Sequence, residues 1–309
     1  MSAVARKIAS LPRRVANAPR RLVGRLLDWP PLNFALTNHI PRRSLTRLAG
    51  RLARIRHPLV SRPSIALWRF FADVDLADAG QPRYASLHEA FTRELVPGAR
   101  PLDADARAIL SPCDGVLGAM GRIHDGLALQ AKGQGYQLSE LLLDAALAAE
   151  FEGGQYATIR LTAGMYHRFH APADCVVEGV HFVAGDVWNV NPPALQRVPG
   201  LYCRNERAVL RLRLARGGHE VALVPVAAIL VASLRLRCLD LRLHLRYRGP
   251  SRIRCRARYE RGAELGWFEQ GSTIIMLLPG GYQPAEGVAT GTRVRMGCAL
   301  YRPGWCLRP

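Results

Sequence analysis

Glu264-Leu-Gly-Trp-Phe-Glu-Gln-Gly-Ser-Thr-Ile-Ile-Met-Leu-Leu278 is a strand-like run that carries Gly271-Ser272-Thr273 within it. Outward from it, back to about Pro101, the chain is made of short apolar runs punctuated by Gly, Pro, Asp and Asn, which is the texture of strands. One helix interrupts them over residues 138–151, stopped by Gly153-Gly154. Residues 31–100 read as mostly helical: 45–55 and 64–71 have helical spacing, and 87–95 form a short amphipathic helix closed by Pro97-Gly98. The expected fold is α+β, with a largely antiparallel β core over 101–309, a helical subdomain over 31–100 that would lie near a membrane, and a basic segment over 1–30.

Gly-Ser-Thr is ordinarily a turn between strands. A Gly-Ser bond in a strained turn can also cut itself. The serine hydroxyl attacks the preceding carbonyl, an ester replaces the amide, and elimination leaves a pyruvoyl group, which can act as an electron sink.

A chain of 309 residues, 49% of them hydrophobic, can bury a sizeable core. The net charge of +19 points to an anionic partner, nucleic acid or an anionic membrane, or simply to a solvated basic surface. Only Lys7 and Lys132 are lysines, so the excess is arginine. Seven cysteines, odd in number and without a Cys-x-x-Cys pair, argue against a disulfide framework or a structural zinc site and fit a reducing compartment. The longest apolar run, 221–234, is too short to span a bilayer. Residues 1–27 lack Asp and Glu and interleave seven cations with apolar residues. That composition suits an interfacial anchor, a transit peptide, or a disordered tail broken by Pro12 and Pro19.

Four segments could carry chemistry. In Ser111-Pro-Cys-Asp-Gly-Val116, Asp114 either caps a turn or orients a histidine. In Tyr166-His-Arg-Phe-His-Ala-Pro172, His167 and His170 face opposite sides if the segment is a strand and converge if it is a turn. They would then be a structural pair, a proton-transfer pair, or metal ligands with Asp114 as a third. Leu129-Gln-Ala-Lys-Gly-Gln-Gly-Tyr136 precedes a helix and could cradle a phosphate or offer Lys132 as an amine. In Asn189-Val-Asn-Pro192 and Leu201-Tyr-Cys-Arg-Asn-Glu-Arg207, the charges read as a solvated ion-pair network, or as Arg204 or Arg207 facing a phosphodiester.

Taken in order, with Phe91-Thr-Arg-Glu-Leu95 and Arg100-Pro-Leu-Asp103 ahead of them, these segments resemble the phosphatidylserine decarboxylase proenzymes of the bacterial and mitochondrial-type branch. The resemblance covers about residues 40–300. It implies that Ser272 is the self-cleavage nucleophile and the future pyruvoyl cofactor, His170 the base, and Asp114 the carboxylate that holds His170. His167 would transfer a proton during decarboxylation. Cleavage between Gly271 and Ser272 would give a β subunit (1–271) and an α subunit of 309 − 271 = 38 residues, paired as a heterodimer or a higher oligomer of it. The implied substrate is phosphatidylserine, bound through a Schiff base and released as phosphatidylethanolamine and CO2. The implied partner is an anionic phospholipid at a membrane surface, with no nucleic acid and no metal. The implied location is the cytoplasmic face of the cell membrane as a peripheral protein, or the mitochondrial inner membrane in a eukaryote. Gln270 stands where the family usually has Leu, and Ala227 where it commonly has Gly. Decarboxylation of another serine phospholipid, an uncleaved lipid-binding scaffold, and a metal hydrolase using Asp114, His167 and His170 are the rival readings.

Overall fold

The computed structural model describes residues 29–38, 40–72, 74–131, 134–230, 233–239, 241–269 and 273–304. The basic segment up to residue 28, Lys132, Gly271 and Ser272 lie outside the described residues.

Among the described residues four helices lead: α1 (Pro30–Asn38), α2 (Arg42–Ala53), α3 (Pro58–Ala72) and α4 (Leu87–Phe91). α2 buries Thr46 and Ala53 but turns Leu48 and Leu52 outward, and α3 exposes Leu59, Leu67, Phe70 and Phe71. Ser86 caps α4 by accepting the Glu89 N–H at 3.1 Å. That helix is shorter than the 87–95 expected, because beyond Thr92 the chain straightens and Leu95 bridges Ala79. The single helix expected over 138–151 is in fact two, α5 (Leu138–Leu142) and α6 (Ala145–Ala149). Leu143 takes a left-handed φ of 48°, and Asp144 then caps α6 by accepting the Leu147 N–H at 3.0 Å. Two one-turn helices follow, α7 (Pro192–Leu195) and α8 (Leu201–Arg204).

The strands in chain order are β1 (Ile109–Leu110), β2 (Gly115–Arg122), β3 (Leu127–Ala131), β4 (Gln134–Gln137), β5 (Gln155–Arg160), β6 (Arg168–His170), β7 (Cys175–Val183), β8 (Arg207–Leu214) and β9 (Glu220–Val226). They continue with β10 (Ser233–Leu236), β11 (Arg242–His244), β12 (Arg252–Tyr259), β13 (Glu264–Phe268), β14 (Thr273–Leu278), β15 (Tyr282–Pro284), β16 (Arg293–Val294) and β17 (Ala299–Pro303). The main sheet has the order β12-β7-β8-β9-β14-β5-β2-β16, and a second has the order β11-β10-β13-β6. Every ladder in both is antiparallel, so the α+β expectation matches the fold.

β14 sits inside the main sheet, hydrogen-bonded to β9 on one edge and β5 on the other. Ile274, Met276 and Leu278 enter one core cluster, and Ile275 and Leu277 the other. A strand buried on both faces reads as an unbroken apolar run, which is why Ile274-Ile-Met-Leu-Leu278 shows no alternation. β12 is the opposite case. It is the sheet edge, with Arg252, Arg254, Arg256 and Arg258 outward and Ile253, Cys255, Ala257 and Tyr259 half-buried. Charges on an exposed edge block pairing with another chain, which accounts for the alternating arginines of this strand.

Candidate active site

The second sheet brings two distant motifs together. β6 pairs with β13, Glu264 opposite His170 and Trp267 opposite Arg168. Gly266 permits this close packing, because a Cβ there would lie 2.1 Å from the Arg235 carbonyl oxygen and 2.9 Å from the Phe169 ring. The strand that ends in His170 therefore lies beside the strand that leads toward residues 271 and 272.

His170 is fixed at both ring nitrogens. Its Nδ1–H donates to the Gly262 carbonyl at 2.8 Å, which leaves Nε2 to accept the Tyr166 O–H at 3.0 Å. Burial lowers its pKa below the ordinary histidine value, partly offset by the Gly262 bond and the Glu264 charge. Around it a cavity of about 260 Å³ is lined by Arg100, Tyr166, Glu264 and Met296, among others.

Asp114 ends the Ser111-Pro-Cys-Asp turn. The turn is closed by Ser111, whose hydroxyl donates to the Cys113 carbonyl at 2.7 Å, so Asp114 is free for other work. Its carboxylate accepts from Arg100 Nε at 3.0 Å and Nη2 at 2.7 Å, and from the Met296 N–H at 2.9 Å. Arg100 also donates to Asp78 at 2.8 Å, and its pKa is raised by these carboxylates. The hydrogen bond that sets the His170 tautomer thus comes from a backbone carbonyl, and Asp114 acts on His170 through its charge.

His167 is fully buried, with no hydrogen-bond partner for either ring nitrogen among the described residues. Its ring lies 4.0 Å from that of Phe91, centre to centre, and its carbonyl accepts the Phe268 N–H at 3.0 Å. Burial, helped by the Arg93 charge, lowers its pKa to about 3. Phe91 also lines an open cavity of about 680 Å³ between α2, α3, the end of β5 and the segment after β9, whose wall residues Leu52, Leu67 and Phe71 are also exposed to solvent. The two histidines thus have separate surroundings, His167 just ahead of β6 and His170 at its end.

Residues 270–272 are flanked by anchored neighbours. The Glu269 carboxylate accepts from Ser233 and Arg54, with Arg242 at 3.7 Å. On the far side Thr273 pairs with Arg160 on β5 and Val226 on β9.

In the other two segments several described residues make structural contacts, while Lys132 and Gly133 lie outside the described residues and Arg204 is exposed. Gln130 is buried and donates to the Leu195 and Val198 carbonyls while accepting the Leu201 N–H at 2.7 Å. Asn191 caps α7. Arg207 is not in a solvated network and does not face outward to a phosphodiester. It is 2% exposed and donates to the carbonyls of Glu140, Leu141, Cys203 and Asn205. Its neighbour Glu206 is buried with Oε2 unpartnered, and desolvation raises its pKa to about 8. Among the described residues no three His, Cys, Asp or Glu side chains converge as a metal site. Sequence reasoning gave no role to Arg100, Tyr166 or Gly262. Tyr166, four residues before His170, was the readable signal; the carbonyl of Gly262 had none.

The phosphatidylserine decarboxylase family model matches residues 87–302, from α4 to β17. A phosphatidylserine decarboxylase proenzyme of Pseudomonas putida is 38% identical over 274 residues, covering 85% of this chain and 95% of that one. That of Xanthomonas axonopodis pv. citri is 37% identical over 280 residues, 87% and 98% of the two chains. That of Psychrobacter cryohalolentis is 36% identical over 247 residues, 79% and 88%. This chain belongs to the phosphatidylserine decarboxylase family, a family of carboxy-lyases.

Proposed function

We propose that the chain cuts itself between Gly271 and Ser272 and then converts phosphatidylserine to phosphatidylethanolamine and CO2. The observation that carries this is the β6–β13 ladder, which sets His170 on the strand beside the one leading to the Gly-Ser bond.

His170 is built to be a base. With Nδ1–H committed to Gly262, the Nε2 lone pair is the one that takes the Ser272 hydroxyl proton. Asp114, held by Arg100, is a nearby negative charge that favours the imidazolium formed in that step. Attack on the Gly271 carbonyl gives an ester. Elimination frees the Gly271 carboxylate, and water then displaces ammonia to leave the ketone on residue 272. A pyruvoyl group there supplies an electrophilic carbonyl for the substrate amine and a sink for the electron pair left by CO2. The surroundings fit such a group, since the His167 carbonyl accepts the Phe268 N–H, which ties the His167 backbone to the strand leading toward residue 272, and β14 holds Thr273 firmly.

His167 serves the second reaction. It is neutral in the empty protein, and an anionic headgroup entering beside it raises its pKa and charges it for proton donation. The exposed Leu48, Leu59 and Phe70 on α2 and α3, set among arginines, support a peripheral contact of this face with an anionic bilayer. No helix among the described residues is long and apolar enough to cross a membrane.

Denaturing electrophoresis with intact-mass analysis tests the reading. Fragments of 271 and 38 residues, the smaller with a blocked terminus and absent in Ser272→Ala, support it. A single full-length chain in the active protein defeats it.

A further inference from the structure

The 680 Å³ cavity behind Phe91 is walled by apolar side chains, among them Leu52, Leu67, Trp68 and Phe71. Of its described lining residues one is charged, Arg160. This residue ends β5 directly opposite Thr273, the residue after Ser272. Its stem runs over Gly118, where a methyl group would touch Cδ at 3.4 Å. Arg160 is half-buried, and nearby arginines have protein partners: Arg100 on Asp78 and Asp114, Arg168 on Glu264, Arg93 and Arg207 on backbone carbonyls. Arg160 has no ion pair and no side-chain hydrogen bond among the described residues. A half-buried guanidinium without a protein partner at the edge of an apolar cavity can pair with an anion that enters it. An anion attached to apolar tails suits both the guanidinium and the apolar walls.

We infer that Arg160 binds the phosphodiester of the lipid headgroup while the acyl chains occupy the apolar cavity. This rests on the decarboxylase reading and names the contact that seats its substrate. Such a lipid carries two anions, and the chemistry chooses between them. The carboxylate has to leave as neutral CO2, so a guanidinium paired with it would stabilise the ground state and slow the reaction. The phosphodiester keeps its charge from substrate to product. An arginine bound to it therefore contributes equally to ground state and transition state, which is a KM role.

The experiment uses the intact, self-processed chain with dihexanoyl phosphatidylserine as substrate. The inhibitors are dihexanoyl phosphatidylethanolamine, which has the phosphodiester alone, and O-hexanoylserine, which has the carboxylate alone. Arg160→Gln is expected to raise KM and the phosphatidylethanolamine inhibition constant at least tenfold. It should leave kcat within about threefold and O-hexanoylserine inhibition unchanged, and Arg160→Lys should recover part of the loss. A rise confined to O-hexanoylserine, or a fall in kcat at constant KM, overturns the assignment. So do unchanged constants in a variant that cuts itself and turns over, an outcome that leaves the decarboxylase reading standing. A parent chain that neither cuts itself nor releases CO2 removes both.

Discussion

Tyr166 donates its O–H to Nε2 of His170 at 3.0 Å, so the lone pair needed to accept a serine proton is already engaged. The phenol's pKa is raised above its ordinary value by burial, so it stays a donor at neutral pH. For His170 to act as base, that bond has to open. Tyr166→Phe is therefore expected to cut itself at least as fast as the parent, followed by the appearance of the 38-residue fragment in a time course after synthesis. A tenfold slower appearance would mean that the phenol is a working member of the relay.

Asp114→Asn removes one of the two carboxylates that hold Arg100, whose side chain is only 9% exposed. Breaking a buried pair costs about 3–5 kcal/mol, and because Asp78 remains, about 2 kcal/mol is expected here. Urea unfolding reads that loss. Self-cleavage should slow at least tenfold, because the negative charge that favours protonated His170 is gone. Normal cleavage in a destabilised variant would confine Asp114 to a structural part.

Two buried groups tilt stability in opposite directions with pH. His167 has a native pKa of about 3 against an ordinary 6.5, so between those values the unfolded chain binds more protons. Its contribution is lost as pH falls from 6.5 toward 3. Glu206 has a native pKa of about 8 against 4.5, so the native state binds more protons in that window. Its contribution is full below 4.5 and lost as pH rises to 8. Urea midpoints from pH 4 to 8.5 should show a flatter acid limb in His167→Gln and a flatter alkaline limb in Glu206→Gln. Parallel curves for parent and variants would contradict both assignments.

Leu48, Leu59 and Phe70 stand 50%, 81% and 41% exposed on α2 and α3. Changing all three to Ser should weaken sedimentation with anionic vesicles by tenfold or more, and more steeply at high salt, where arginine attraction is screened. Self-cleavage in detergent should be unaffected. Undiminished vesicle binding would move the membrane contact elsewhere.

Residues whose task is local were readable from sequence. Ile274-Ile-Met-Leu-Leu278 announced a strand buried on both faces, and the helical spacing of 45–55 and 64–71 located α2 and α3. Where one polar atom decided the outcome, reading was less sure. Asp144 looked like the interior of a helix but caps a new one, and the 87–95 pattern stopped at Phe91. The candidate site was legible as a set of residues through a family resemblance, not as a geometry. Asp114 and Arg100 meet after 14 residues, but His170 meets Gly262 after 92, and the bond uses a backbone atom common to every residue type. No spacing rule can find such a partner. Arg207 showed the converse limit, since a charge-rich Arg-Asn-Glu-Arg motif looks solvent-facing until the carbonyls that surround it are seen.

The place of β14 between β9 and β5 has a mechanical consequence. A break just ahead of Thr273 would sever the polypeptide without removing a single rung of that sheet. The short piece would stay clamped along both edges, with β17 further stitched to β1. Pulling the pieces apart would mean tearing the widest sheet down its middle, so fragment dissociation and loss of the fold should be one and the same event.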